Sequence, residues 1–431
     1  MDAKVLYMET NYRNAAEIVS ASNRFIGGNK LRFNKTAVAN NHETGTISIS
    51  TKETERGVYN EIMRHIQDII SGDRTLAVLS RNNYTLLPLA VALDEAGVVA
   101  RKRDNFENYF RHPLILSITS ILRLSAEPWN IEAFRQCRGA MKLYINNKQM
   151  SQIEEVVKES SLPETEQNII AIAEGACASA EYTLDALDVA KKALALIKDA
   201  APETALRIIE QHFGRHLDSS TASYFYTGPS TYELYFGTFV QFAEHYKTVP
   251  ELLKAIEHYS EQKTDSRNAK SNVTLSTIFS AKGLEFDDII ILDAIDGILP
   301  QFNTEDKEDD NEEEARLFYV AVTRAKSSVM FTVPKTLYGT SVTPSPFIAQ
   351  LLPPPPDKEI KKATKSHHDK AKPPVSKPVP KEIMIGMRIS HKTFGEGTVI
   401  EKGNSEKANI VVVNFDKEGR KRLLASFCTP I

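Results

Sequence analysis

Three short polar phrases in this sequence carry side chains suited to phosphate and nucleotide chemistry. Asn11, Tyr12 and Arg13 stand just before a helical pattern that starts near Ala15, TIFSAKGLEF runs from Thr277 to Phe286, and FYVAVTRAK runs from Phe318 to Lys326. Arg13 and Arg324 are permanently charged planar forks that can grip a phosphate with two parallel N–H donors. Ser280, Lys282 and the backbone at Gly283 make a small polar turn where a phosphate could sit, whether of a nucleotide or of a nucleic-acid backbone. Glu285 could accept a hydrogen bond from a ribose hydroxyl, and Tyr12 could stack on a base. Taken singly each has an ordinary reading: a surface ion pair for either arginine, a packing residue for the tyrosine.

These phrases need elements to hold them. GTISIS (Gly45 to Ser50) predicts a strand, and Val58, Ile62, Ile66, Ile69 and Ile70 form a helical stripe. TLAVLS (Thr75 to Ser80) predicts a nearly continuous apolar strand, followed by a helix that stops at Gly97 and another from Pro113 to Leu124. That alternation is βαβ grammar and implies a parallel sheet covered by helices. From Ala126 to Lys270 the patterns are almost all helical. Strand signals return in NVTLSTIF, DDIIILDAI and SSVMFTV, with the helix carrying FYVAVTRAK between the last two. The late strands need a sheet to join, so the expected fold class is α/β: one parallel-sheet lobe interrupted by a helical insertion. The expected division is 1–125 and 271–350 for the lobe, 126–270 for the insertion, 351–381 for a linker and 382–431 for a small β-barrel.

The biased segments support that division. Glu305 to Glu314 carries eight carboxylates and one lysine, which predicts a solvated loop running into a helix. Pro353 to Lys381 holds eight prolines and eight lysines against three acids, the composition of an extended cationic tether. Beyond it MRIS, GTVIEK, ANIVVVNF and RKRLLAS, joined by glycine turns, predict an SH3-like or Tudor-like barrel. The 431 residues are 42% apolar with a net charge of −3, which leaves room for two or three cored domains and excludes a uniformly basic coat. Cys137, Cys177 and Cys428 lack the spacing of a disulfide framework or thiolate metal site, and no metal ligands are expected on this chain. Neither a membrane span nor a signal peptide is legible, so a cytoplasmic location is expected. Trp129, the only tryptophan, is expected in the core.

Read together and in order, NYRNAAEIVSASNRFI, TLSTIFSAKGLEFDDIIIL with DGILP, and EEEARLFYVAVTRAK resemble the last three ATP-site motifs of the UvrD/Rep/PcrA-type superfamily 1 DNA helicases. The resemblance covers roughly Leu6 to Val333. In that family these motifs lie on the second RecA-like lobe, and HKTFGEGTV (His391 to Val399) resembles the family's Tudor-like module, implicated in contacting RNA polymerase. The resemblance implies that Tyr12 stacks on adenine, that Arg13 and Arg324 contact the γ-phosphate, and that Glu285 contacts the ribose. It places Thr277, Ser280 and Lys282 in the segment that touches single-stranded DNA.

Three departures qualify this. No GxxxxGK[ST] phosphate loop occurs in the 431 residues, so the first RecA-like lobe and the ligands of Mg²⁺ that go with ATP are expected on a missing partner lobe. The expectation is the C-terminal portion of an ATP-dependent 3′→5′ DNA helicase or translocase, inactive alone. The alternative is a non-catalytic module that binds DNA or RNA polymerase. Phe279 stands where the family usually has histidine, and CRGAMKLYI around Gly139 is a poor match to the family's duplex-contacting turn.

Overall fold

A computed structural model describes residues 8–32, 35–41, 43–217, 230–261, 271–301, 309–352, 387–391, 395–402, 410–415, 419–424 and 428–430. The expected tether, the first part of the acidic run and residues 392–394 of HKTFGEGTV lie outside them. The chain forms two compact units, Met1–Pro356 and Asp357–Ile431.

In the first unit β1 (Thr10–Ala15) leads directly into α1 (Ala16–Ile26) and pairs in parallel with β2 (Val38–Asn41), a two-stranded sheet that periodicity did not suggest. Next come β3 (Thr46–Thr54), α2 (Glu55–Ile70), β4 (Leu76–Ser80), α3 (Leu87–Glu95), β5 (Arg101–Lys102), α4 (Glu107–Phe110) and α5 (Pro113–Ala126). The Thr54 hydroxyl caps α2 by accepting from the Gly57 N–H, and Val58, Ile62 and Ile66 are buried at i, i+4 and i+8, whereas Ile70 is exposed. The chain leaves α3 through Gly97, whose φ of +68° suits glycine and lets the Val98 N–H reach the Leu93 carbonyl at 2.8 Å.

A block of helices follows: α6 (Ile131–Cys137), α7 (Asn147–Glu159), α8 (Ile169–Ala176), α9 (Glu181–Lys198), α10 (Pro202–Leu217), α11 (Thr231–Ala243) and α12 (Val249–Glu261). Capping boxes start two of them, Asn146 with Gln149 at α7 and Ser230 with Glu233 at α11. The chain then returns to the sheet with β6 (Val273–Thr277) and β7 (Phe286–Ile291), and closes the unit with α13 (Asp309–Val322), β8 (Ala325–Leu337), β9 (Thr340–Ser341) and α14 (Pro346–Leu351).

The main sheet has the order β3-β8-β7-β4-β6-β5, all parallel, with β9 added antiparallel to β8. β4 is central: Leu76 pairs with Val273 of β6 on one side and with Asp288 of β7 on the other, and all five of its residues are buried. A parallel central strand needs crossovers and cover on both faces, which explains its unbroken apolar run. The strand encoded before the helical block is therefore completed by strands encoded after it, and the α/β fold with a helical insertion is what the structure has. Buried side chains from the sheet, α1, α13, α14 and α6 to α12 join one contiguous hydrophobic cluster. Phe318 stacks on Phe331 at 5.4 Å and packs edge-on to Phe347 within it.

Two expectations are corrected. Trp129 is half-buried rather than in the core, because it lies in the turn between α5 and α6. Cys137 and Cys177 are buried free thiols whose pKa values are pushed up by burial. Among the described residues the second unit has five antiparallel strands rather than four, β10 (Arg388–His391), β11 (Gly395–Lys402), β12 (Ile410–Phe415), β13 (Gly419–Leu424) and β14 (Cys428–Pro430), in the order β13-β12-β11-β10-β14. The fifth strand is three residues long, too short to show alternation. Among the described residues no helix is long and apolar enough to cross a membrane.

Candidate nucleotide and nucleic-acid site

Arg13 on β1 and Arg324, far apart in the first unit's sequence, meet where β7 and β8 begin. The Arg13 guanidinium donates to the Glu285 carboxylate at 2.9 Å and to the Thr323 carbonyl at 3.3 Å. Arg324 donates to the carbonyls of Leu284 at 2.9 Å and Val320 at 3.1 Å. Arg324 is not on the helix, as the phrase FYVAVTRAK suggested; α13 ends at Val322. The Thr323 hydroxyl turns back to the Tyr319 carbonyl at 2.8 Å, and the chain must swing at once into β8 to pair Ala325 with Phe286. This turn leaves the half-buried guanidinium at the start of β8.

Charge shapes the cluster. Glu285 is held below the usual carboxylate range, first by the hydrogen bond from Arg13 and then by Lys326, whose ammonium lies 3.3 Å away. Arg324 is pushed down by burial and then by the nearby charge of Arg13. Tyr12 lies next to Arg13 with its ring 75% exposed, so it is available to stack.

Three residues here carry functions that sequence reasoning did not assign. Asn14, 1% exposed, donates to the Thr323 carbonyl at 3.1 Å and also to the Ala325 carbonyl, tying β1 to the start of β8. Asn11 accepts from the N–H groups of Arg13 and Asn14 at 2.9 and 3.0 Å and so sets the backbone under Arg13. Their i, i+3 repetition in NYRN was the available signal. Lys326 lay inside a phrase already singled out.

Thr277, Ser280 and Lys282 form a second group, joined to the first through residues 278–285. Here the structure divides their roles. The Asp104 carboxylate accepts from the Thr277 N–H at 2.7 Å, the Thr277 hydroxyl at 3.1 Å and the Ser280 hydroxyl at 2.6 Å. Both hydroxyls are thus engaged in holding the turn, while the Lys282 ammonium is exposed and has no partner among the described residues. Asp104 follows β5, far away in sequence, and nothing local marks it. Beside the turn lies a cleft of about 530 Å³ whose lining includes Phe279, Lys282, Arg81 and Leu317. Arg81 extends from the end of β4 and grips Glu314 with two nitrogens at 2.9 and 3.0 Å.

Among the described residues no group of three metal-ligating side chains is arranged to hold an ion. Fold and clusters together define a parallel α/β lobe with a helical insertion.

Comparison with known families gives that lobe its family. Residues 6–176 and 234–336 match the UvrD-like helicase C-terminal domain, and residues 385–431 match the PcrA/UvrD tudor domain. The chain belongs to the UvrD-like helicase C-terminal domain family, as the resemblance implied. It is 28% identical to the ATP-dependent DNA helicase PcrA of Bacillus subtilis (strain 168), over 99% of this chain and 62% of that one. It is 26% identical to DNA helicase II of Escherichia coli (strain K12), over 99% and 61%, and 26% identical to the putative ATP-dependent DNA helicase YjcD of Bacillus subtilis (strain 168), over 81% and 46%. The chain therefore spans about three fifths of the length of the first two relatives.

Proposed function

We propose that this chain is the C-terminal portion of an ATP-dependent 3′→5′ DNA helicase or translocase. The observation that carries the reading is the convergence of Arg13 and Arg324, separated by most of the first unit's sequence, where β7 and β8 begin, beside Glu285 and Tyr12. In this reading Tyr12 stacks on adenine and Glu285 accepts from a ribose hydroxyl. The two guanidiniums stabilise charge on the transferring phosphoryl oxygens. Arg13 exchanges the Glu285 carboxylate for a phosphate oxygen when nucleotide arrives, which frees Glu285 for the sugar. The residues present suit the outer phosphate and the nucleoside. A partner lobe would supply the cradle for the inner phosphates and the carboxylates for Mg²⁺, which would neutralise phosphate charge there.

The turn from Thr277 to Lys282 faces single-stranded DNA in this reading, held in shape by Asp104 and presenting Lys282 to phosphate. Loss of the γ-phosphate removes the anchor of both arginines and lets the lobes separate, so that turnover is coupled to the DNA contact. We assign residues 1–125 and 271–350 to the lobe, 126–270 to the insertion, 351–381 to a tether and 382–431 to the tudor module. The tudor match favours a protein-binding role for that module, for which RNA polymerase is the proposed partner.

ATP hydrolysis tests the proposal. The 431 residues alone are expected to show no DNA-stimulated turnover, because positioning of the β- and γ-phosphates is absent. Adding a lobe with a phosphate loop is expected to restore it, and Arg13→Ala or Arg324→Ala should each lower the restored rate by about 10³ to 10⁵. Turnover by the chain alone that Arg324→Ala removes, or wild-type rates in both variants, would overturn these assignments.

A further inference from the structure

Phe279 is 76% exposed, the most exposed aromatic ring among the described residues. A single exposed apolar side chain is ordinary, but three features set this one apart. Its backbone is fixed: Ile278 and Ala281 on either side are fully buried, and Asp104 pins Thr277 and Ser280 with three hydrogen bonds. The ring therefore cannot fold back into the core without breaking the turn. It borders the cleft of about 530 Å³, within the size range that encloses small ligands, where Ile278, Leu317 and Val320 give an apolar wall and Gln301, Glu313 and Glu314 a polar one. The unpartnered Lys282 belongs to the same turn, its N–H donating to the Phe279 carbonyl at 3.1 Å. The other cations lining the cleft, Arg81 and Arg316, are paired with Glu314 and Glu312.

A rigid aromatic face and an ammonium without a partner among the described residues, in a single turn beside a cleft, are the components of a single-strand binding subsite, in which a base stacks and the adjoining phosphate meets a cation. We propose that Phe279 is the stacking platform for one base of a bound single strand, with Lys282 on the neighbouring phosphate. This deepens the reading that the turn faces DNA and rests on it.

The test is fluorescence anisotropy of the full 431-residue chain with a short labelled oligothymidylate and with an abasic strand of equal length and charge, at several salt concentrations. Phe279→Ala is expected to weaken oligothymidylate binding about tenfold and to leave abasic binding unchanged, while Phe279→Tyr retains wild-type affinity. Lys282→Ala should weaken both strands and reduce the salt slope by about one. Equal losses on both strands would show that the ring acts through the fold, and no loss on either would show that another surface covers it; each outcome overturns the proposal. Failure of the wild-type chain to bind either strand would overturn the underlying reading of the turn.

Discussion

Asp293 is a buried carboxyl in the left-handed region, with φ of +53°. Burial, with a further contribution from Glu55, pushes its pKa up to about 7. The unfolded chain releases this proton near pH 4, so between about pH 4 and 7 the native state holds one proton more than the unfolded state. The stability contribution is then complete below about pH 4 and is lost as pH rises through 7, at about 1.4 kcal/mol per pH unit. Asp293→Asn keeps the shape and the tolerance of positive φ but carries no charge. The variant is expected to match wild type near pH 4 and to exceed it by a few kcal/mol at pH 8, measured by urea unfolding at both values. Parallel pH dependences for the two proteins would show that Asp293 does not control this effect.

At the scale of elements, the insertion is locked to the lobe where α11 meets the β8–β9 hairpin. Gly237 lies directly under the Tyr338 ring, so that a Cβ there would fall inside the van der Waals envelope of Cγ and both Cδ atoms. Tyr338 is itself fixed: its hydroxyl is 2.9 Å from the Thr238 hydroxyl, and the Thr340 hydroxyl donates to Glu233 at 2.9 Å. With the ring held at both ends, overpacking cannot relax cheaply. Gly237→Ala is expected to cost about 1–3 kcal/mol in chemical denaturation. An unchanged midpoint would mean that the hairpin swings aside.

At the scale of the whole first unit, one hydrophobic cluster runs from the sheet into the insertion, so the two should melt together despite their different grammar. Trp129, the only tryptophan, reports from the turn that enters the insertion, and far-ultraviolet circular dichroism reports on all helices. Their unfolding curves are expected to coincide. Phe134→Ala, which empties a fully buried position on α6, should shift both by the same amount, about 3–5 kcal/mol. A tryptophan transition that moves ahead of the dichroism would show that the insertion unfolds alone.

What the sequence determined by itself was whatever depends on short range. The βαβ alternation, the unbroken apolar run of β4, the stripe of α2 and the glycine exit from α3 follow from local periodicity and backbone preference. The phrases holding Arg13, Glu285, Lys282 and Arg324 were legible because their residue types and order are dense enough to identify a family. Tertiary structure decided what depends on long-range pairing. Only the fold brings Asp104 to Thr277 and Ser280 and so occupies their hydroxyls, places Arg324 in a turn by forcing Ala325 into register with Phe286, and sets Arg13 against Glu285. A hydrogen bond or ion pair between distant residues leaves no periodic trace along the chain, since its geometry exists only after the sheet has closed around β4.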